Sequence, residues 1–176
     1  RWLVTNGAHR LVLVGRNTAP RSEVVETLAE LRTRGALVTV ERADVADRAA
    51  LGGVLGRIAA SGQPLRGVFH LAGMLDDGVI SGQSAERLRA VMSPKLLGAL
   101  NLHELCLHEE LDHFVLYSSA AAVVGSPGQS NYAAANAALD ALAEWRRSHG
   151  LQACSIAWGS VSEVGMAAAL RAHYRE

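Results

Sequence analysis

Three polar side chains, Ser119, Tyr132 and Asn136, lie close together in the sequence around a stretch of small residues. A serine hydroxyl can hydrogen-bond a carbonyl oxygen, and a tyrosine phenol, with an ordinary pKa of about 10, can deliver a proton to it. Asn136 comes four residues after Tyr132, so on a helix both side chains project from the same face. This combination is suited to polarising and protonating a carbonyl group, and it is the strongest functional signal in the chain.

The elements around these residues are predicted to bring them together above a parallel sheet. Residues 114–119 are mostly apolar and bounded by small residues, which is typical of a buried parallel strand. Residues 130–150 are rich in alanine and end in basic residues and a glycine, which indicates a helix. The small residues between them suit a loop where backbone must approach a ligand.

The rest of the chain alternates between predicted strands and helices. Further strands are predicted at residues 11–16, 37–40, 68–73 and 153–159; helices at residues 22–34, after Asp47, after Ser84, from Ser93-Pro94 and, less regularly, from Met166; and the end of a helix at residues 1–8. Such alternation predicts an α/β fold, a doubly wound parallel sheet with helices on both faces. Ligands bind beyond the carboxyl ends of its strands.

Composition narrows the class of protein. The 176 residues, 49% of them hydrophobic, fit one domain, and 17 acidic against 17 basic residues give no bias towards nucleic acid. No apolar run is long enough to span a membrane, the two cysteines do not have metal-ligand spacing, and no metal site is expected. Cys106 and Cys154 lie in apolar segments and are predicted to be buried free thiols in a reducing compartment. We therefore expect a cytoplasmic protein.

The motifs, taken as a set, resemble the ketoreductase domains of modular polyketide synthases, which belong to the short-chain dehydrogenase/reductase superfamily. The resemblance covers nearly the whole chain and is densest around the candidate site. The motifs that carry it are Leu11-Val12-Leu13-Val14-Gly15-Arg16, Ala43-Asp44-Val45, Val68-Phe69-His70-Leu71-Ala72-Gly73, Ser93-Pro94-Lys95, Tyr117-Ser118-Ser119, Gly125-Ser126-Pro127-Gly128-Gln129, Asn131-Tyr132-Ala133-Ala134-Ala135-Asn136 and Ala157-Trp158-Gly159.

The resemblance implies a role for each residue of a catalytic set. Most short-chain reductases carry Tyr-x-x-x-Lys, whereas this family takes its lysine from an earlier helix, at the position of Lys95. Tyr132 would then be the general acid, and Ser119 would hydrogen-bond the substrate carbonyl. Asn136 would hold Lys95 and a proton-relay water. A nearby cation favours the phenolate form of a tyrosine, which makes proton delivery easier.

The resemblance also implies NADPH as cofactor. Arg16 would meet its 2′-phosphate, and Asp44 and Val45 would border the adenine. Ala72 and Gly73 would border the adenosine ribose. Trp158 and Gly159 would line the cofactor pocket, with Trp158 chiefly packing. His70 is expected to be a core histidine with its hydrogen bonds satisfied.

Leu75, Asp76 and Asp77 look like the fingerprint of B-type ketoreductases, which give the D-configured β-hydroxyl. The A-type fingerprint tryptophan is absent, since Val124 stands at the matching position. The implied substrate is a β-ketoacyl thioester on an acyl carrier protein. A fatty-acid synthase ketoreductase, which uses the same asparagine and lysine arrangement, is the alternative enzyme.

The first residues of this sequence differ from the pattern of the family. No strand followed by a G-x-G-x-x-G turn, the usual seat of the pyrophosphate, is present. We therefore expect residues 1–176 to be a single catalytic domain within a larger multidomain chain, next to other synthase domains. In isolation these residues are predicted to fold poorly and to show no NADPH turnover. A catalytically inactive remnant, kept for packing against neighbouring domains, is the alternative outside the enzymes.

Overall fold

The computed structural model describes residues 1–17 and 22–159, so the helix predicted from Met166 lies outside the described residues. The helices are α1 (Trp2–Thr5), α2 (Ser22–Thr33), α3 (Arg48–Ala60), α4 (Ala85–Met92), α5 (Gly98–Leu105), α6 (Ala121–Val124) and α7 (Ser130–Ser148). The strands are β1 (Arg10–Gly15), β2 (Leu37–Arg42), β3 (Gly67–His70), β4 (His113–Ser119) and β5 (Cys154–Trp158). No helix in this part of the chain is long and apolar enough to cross a membrane.

All strand pairs in the described residues are parallel, as the predicted doubly wound fold requires. β1 pairs with β2, and a separate sheet has the order β3-β4-β5. β1 and β3 are therefore not joined, and Val12, Leu13 and Val14 of β1 are 37%, 40% and 36% exposed. Exposed apolar side chains on a strand are unfavourable in water. This supports the expectation of poor folding in isolation, which stays a prediction.

The main core lies between the β3-β4-β5 sheet and the helices α3, α5 and α7. Phe114 and Leu116 point from alternate positions of β4 into this core, where they meet Leu139 and Leu142 of α7. Complete burial of one such side chain contributes about 1.5–3 kcal/mol to stability. This packing fixes α7 across β4, so residues at the carboxyl end of β4 lie beside the first turns of α7.

The structure contains the two helix caps that the sequence predicts. The Asp47 side chain accepts hydrogen bonds from the backbone N–H groups of Ala49 and Ala50, at 2.9 and 3.0 Å. Ser84 caps α4 by accepting from the N–H of Arg87 at 3.3 Å. Both predicted caps are confirmed, and the glycines within α3 do not interrupt it.

Three sequence predictions are wrong in detail. The strand predicted at residues 68–73 ends at His70, because its pairing with β4 stops at Leu116 and the next β4 carbonyl, that of Tyr117, accepts from Nζ of Lys95. The helix predicted to begin at Ser93-Pro94 instead continues α4 through a π-helical turn, Ser93–Leu97, into α5. Cys106 is buried, which raises its thiol pKa to about 11, but Cys154, the first residue of β5, is exposed.

Candidate active site

The π-helical turn places Lys95 in the site. Pro94 has no backbone N–H, and the hydrogen-bond ladder changes here, so that the N–H of Gly98 donates to the Ser93 carbonyl five residues earlier. The buried His70 ring also contacts this turn, with Nε2 at 2.8 Å from the Lys95 carbonyl oxygen. Because that oxygen can only accept, Nε2 carries the proton. Single π-helical turns of this kind are frequent at functional sites.

The Lys95 ammonium is almost fully withdrawn from solvent. Its side chain is 3% exposed, and Nζ donates to the Tyr117 carbonyl at 2.9 Å and to Oδ1 of Asn136 at 2.8 Å. Burial lowers the pKa of Lys95 to about 8, an effect that the charge of Asp140 partly opposes. At neutral pH the side chain remains mostly protonated, since its pKa is still above 7.

Asn136 and Tyr132 lie on the same buried face of α7. Nδ2 of Asn136 donates to the Tyr132 carbonyl at 2.8 Å, while Oδ1 accepts from Lys95. Lys95 Nζ lies 5.2 Å from the centre of the Tyr132 ring, within the range at which a cation and an aromatic ring attract each other. The structure therefore brings Lys95, Asn136 and Tyr132 together from two separate helices.

Ser119 ends β4, two residues after the carbonyl that binds Lys95. Its Oγ accepts from the N–H of Ala121 at 3.2 Å, which leaves its own proton available to an acceptor. The neighbouring Ser118 is buried and donates to the Asn136 carbonyl at 3.2 Å. Ser118 thus supports α7, and Ser119 is the serine at the open end of the strand.

The residues predicted to meet the adenosine end of the cofactor lie at the carboxyl ends of β1 and β2. Arg16 is exposed, and its carbonyl accepts from Nε of Arg42 at 3.2 Å, so two guanidinium-bearing residues meet there. The Asp44 carboxylate accepts from the N–H of Ala46 at 2.9 Å. The loop that follows β2 and contains Asp44 and Val45 is held by the buried Asn101, whose Nδ2 donates to the Val45 carbonyl at 2.9 Å. Sequence reasoning did not identify Asn101, although an amide within a leucine-rich helix was a usable signal.

Ala72 and Gly73 follow β3 and are only partly exposed. A Cβ atom at position 73 would lie 3.0 Å from Cε of Lys95, so the glycine leaves room for the lysine stem. At the end of β5, the Trp158 ring stacks on Tyr117 with ring centres 5.7 Å apart, yet is 44% exposed. The adjoining Gly159 is also exposed. Gly73 thus lies against the Lys95 stem, and Trp158 packs on the tyrosine whose carbonyl binds Lys95.

The segment Leu75-Asp76-Asp77 lies against the first turn of α7. Leu75 packs on the cluster that contains Tyr132. The Asp76 carboxylate pairs with Arg87, which lowers the pKa of that carboxyl. The Asp77 carboxylate accepts from Nε2 of Gln129 at 2.9 Å. The loop that the sequence singled out is therefore held beside the candidate catalytic residues.

A family model for the KR (ketoreductase) domain matches residues 1–163. The chain belongs to the KR domain family. Its relatives are polyketide synthases, as the resemblance implied. The KR domain is 47% identical over 170 residues to a phenolphthiocerol/phthiocerol polyketide synthase protein of Mycobacterium tuberculosis, covering 97% of this chain and 9% of that protein. It is 51% identical over 160 residues to the spectinabilin polyketide synthase system protein NorA' of Streptomyces orinoci, covering 91% of this chain and 4% of that protein.

Solved structures agree on the fold of the KR domain. A structure of A1-type ketoreductase has a TM-score of 0.92 and 47% identity, and the match covers 99% of this chain and 37% of that chain. A structure of A-type ketoreductases from modular polyketide synthase has a TM-score of 0.89 and 49% identity, covering 94% and 35%. The KR domain thus has the Rossmann-like fold of polyketide ketoreductases and spans about a third of these solved chains.

Proposed function

We propose that this KR domain uses NADPH to reduce a β-ketoacyl thioester, carried on an acyl carrier protein, to the D-β-hydroxyacyl thioester. The observation that carries the proposal is the buried Lys95 ammonium, held by Asn136 and by the Tyr117 carbonyl next to Tyr132. A buried cation beside a phenol favours the negative charge that the phenol acquires when it gives up its proton. Lys95 Nζ is bonded to two neutral oxygens, and burying a charge without an opposite charge in contact with it is costly in a core without function.

The residues present fit the adenosine end of NADPH. Arg16, with Arg42 beside it, offers positive charge at the end of β1, where a 2′-phosphate would be bound. Ala72 and Gly73 are small residues next to the Lys95 stem, at the end of β3. The described residues offer no glycine-rich turn for the pyrophosphate. When bound, NADPH supplies the hydride that adds to the carbonyl carbon.

Four side chains of the candidate active site each have a separate role in protonating the carbonyl oxygen of the substrate. Ser119 donates a hydrogen bond to this oxygen and stabilises the charge that develops on it. Tyr132 transfers its phenolic proton to the same oxygen, which becomes the hydroxyl of the product. Lys95 stabilises the resulting phenolate, and Asn136 keeps the ammonium in place and helps to hold a proton-relay water.

The B-type stereochemistry rests on Leu75-Asp76-Asp77 and on Val124 in place of tryptophan. The two solved relatives are named as A-type and A1-type, but a similar fold does not determine how a few loop residues orient the substrate. The position of the loop beside Tyr132 supports a role in that orientation. The configuration of the product decides between the types.

The test uses the full-length protein with a β-ketoacyl thioester on an acyl carrier protein. We expect oxidation of NADPH at a higher kcat/KM than NADH, and a D-configured product by chiral separation. An L-configured product would refute the B-type assignment while leaving the reductase intact. Binding of neither cofactor, with no reduction, would instead support the inactive remnant.

A further inference from the structure

Arg87 of α4 holds the Leu75-Asp76-Asp77 loop through an extended set of hydrogen bonds. Nε and Nη2 donate to the two carboxylate oxygens of Asp76 at 3.0 and 2.6 Å. Nη2 also lies 3.3 Å from the Asp76 carbonyl and 2.7 Å from the Asp77 carbonyl, and Nη1 donates to the Gly82 carbonyl at 2.9 Å. A simple surface ion pair would engage only the carboxylate. Here the guanidinium also binds main-chain carbonyls and therefore fixes the path of the loop.

Gly78 brings the loop into close contact with the same guanidinium. A Cβ atom at position 78 would lie 2.7 Å from Nη1 and 2.9 Å from Nη2 of Arg87, so a side chain there would displace the arginine. The N–H of Gly78 donates to the Gly128 carbonyl at 2.8 Å. The loop is thus clamped between α4 and the segment that leads into α7.

The loop is connected directly to the backbone of the proposed proton donor. Nδ2 of Asn131 donates to the Asp76 carbonyl at 2.8 Å, and its Oδ1 accepts from the N–H of Tyr132 at 2.7 Å. Asn131 is 3% exposed, so it is held rigidly between the two. A continuous set of hydrogen bonds therefore runs from Arg87 through Asp76 and Asn131 to Tyr132.

We propose that Arg87 is a positioning residue, which sets the geometry of the Leu75-Asp76-Asp77 loop relative to Tyr132 and thereby the face from which the β-keto group meets the proton donor. This inference rests on the proposed function. Arg87 acts through the loop and does not itself touch the reacting atoms. Loss of its planar set of donors should therefore affect substrates that the loop must orient, and spare substrates that it need not orient.

The test compares Arg87→Gln, Arg87→Lys and Gly78→Ala with the wild type in the full-length protein. Arg89→Gln is the matched control, because Arg89 lies on the same helix, is 76% exposed and lies 3.9 Å from Glu86 in a solvent-exposed ion pair. Two substrates are used: a β-ketoacyl thioester and a small cyclic ketone without a thioester arm. The readouts are kcat, KM and the ratio of product enantiomers.

For Arg87→Gln we expect KM for the thioester to rise by about tenfold or more and the enantiomer ratio to fall by a similar factor. Turnover of the small ketone should stay within about twofold of the wild type. Gly78→Ala should change the thioester reaction in the same direction, and Arg87→Lys should recover only part of the loss, since an ammonium cannot reproduce the paired donors. Arg89→Gln should behave as the wild type.

Two results would overturn the inference. One is an Arg87→Gln protein with the same enantiomer ratio and KM as Arg89→Gln. The other is equal loss of both substrate activities together with a lowered melting temperature, which would make Arg87 only structural. A wild-type protein that reduces neither substrate would instead overturn the proposed function, and this inference with it.

Discussion

The buried Lys95 predicts an unusual pH dependence for the reduction. With a pKa of about 8, Lys95 is about nine-tenths protonated at pH 7 and about one-tenth protonated at pH 9. If the cation is needed for proton transfer from Tyr132, kcat/KM falls about tenfold over that interval. A lysine with its ordinary pKa of 10.5 would lose only a few per cent of its charge over the same range.

A substitution at Asp140 tests whether the fall in rate at alkaline pH comes from deprotonation of Lys95. The negative charge of Asp140 raises the pKa of Lys95, so Asp140→Asn should lower that pKa further and move the alkaline fall in rate to lower pH. Glu144→Gln is the matched control, because Glu144 is an exposed acidic residue one turn later on α7. Initial rates are measured from pH 6 to pH 10 in the full-length protein. A flat profile to pH 10, or equal shifts in the two variants, would refute the reasoning.

Two further substitutions test how Lys95 is positioned. Gly73→Ala introduces a methyl group 3.0 Å from Cε of Lys95, so kcat should fall at least about tenfold; an unchanged kcat would contradict the proposed packing. His70→Phe leaves the buried Lys95 carbonyl without its histidine donor and should lower the free energy of unfolding by about 1–3 kcal/mol in urea, whereas His108→Phe at an exposed site should not. Burial lowers the pKa of His70, so the folded protein disfavours the proton that this ring takes up in the unfolded chain. The wild type, but not His70→Phe, should therefore lose stability as pH falls below about 6.5.

The strands and long helices could be predicted because their sequence signals are local. The strand predicted at residues 114–119 is present in the structure as β4, and the helix predicted from Ser130 differs from the observed α7 only at its last turn. The pair Tyr132 and Asn136 follows from helical periodicity alone. Lys95 could be placed in the site only through the family resemblance, since nothing near it in the sequence shows where its side chain ends.

The parts that sequence reasoning missed depend on contacts between distant segments. Pro94 is a usual sign of a helix start, but here α4 continues through it into a π-helical turn, and the buried His70 ring, distant in sequence, bonds to the Lys95 carbonyl within that turn. Arg87 gave no signal of its own, because an arginine on a short amphipathic helix is normally a solvated residue. Only the folded chain shows that it binds a loop ten residues earlier.

The measurement that tests the central claim most directly is a single-turnover reduction by full-length wild type and Tyr132→Phe, each saturated with NADPH. If Tyr132 donates the proton, the variant should bind NADPH normally and lose about 100-fold or more in rate, within the range for a lost general acid. A Tyr132→Phe protein that reduced the β-ketoacyl thioester at the wild-type rate would contradict the account.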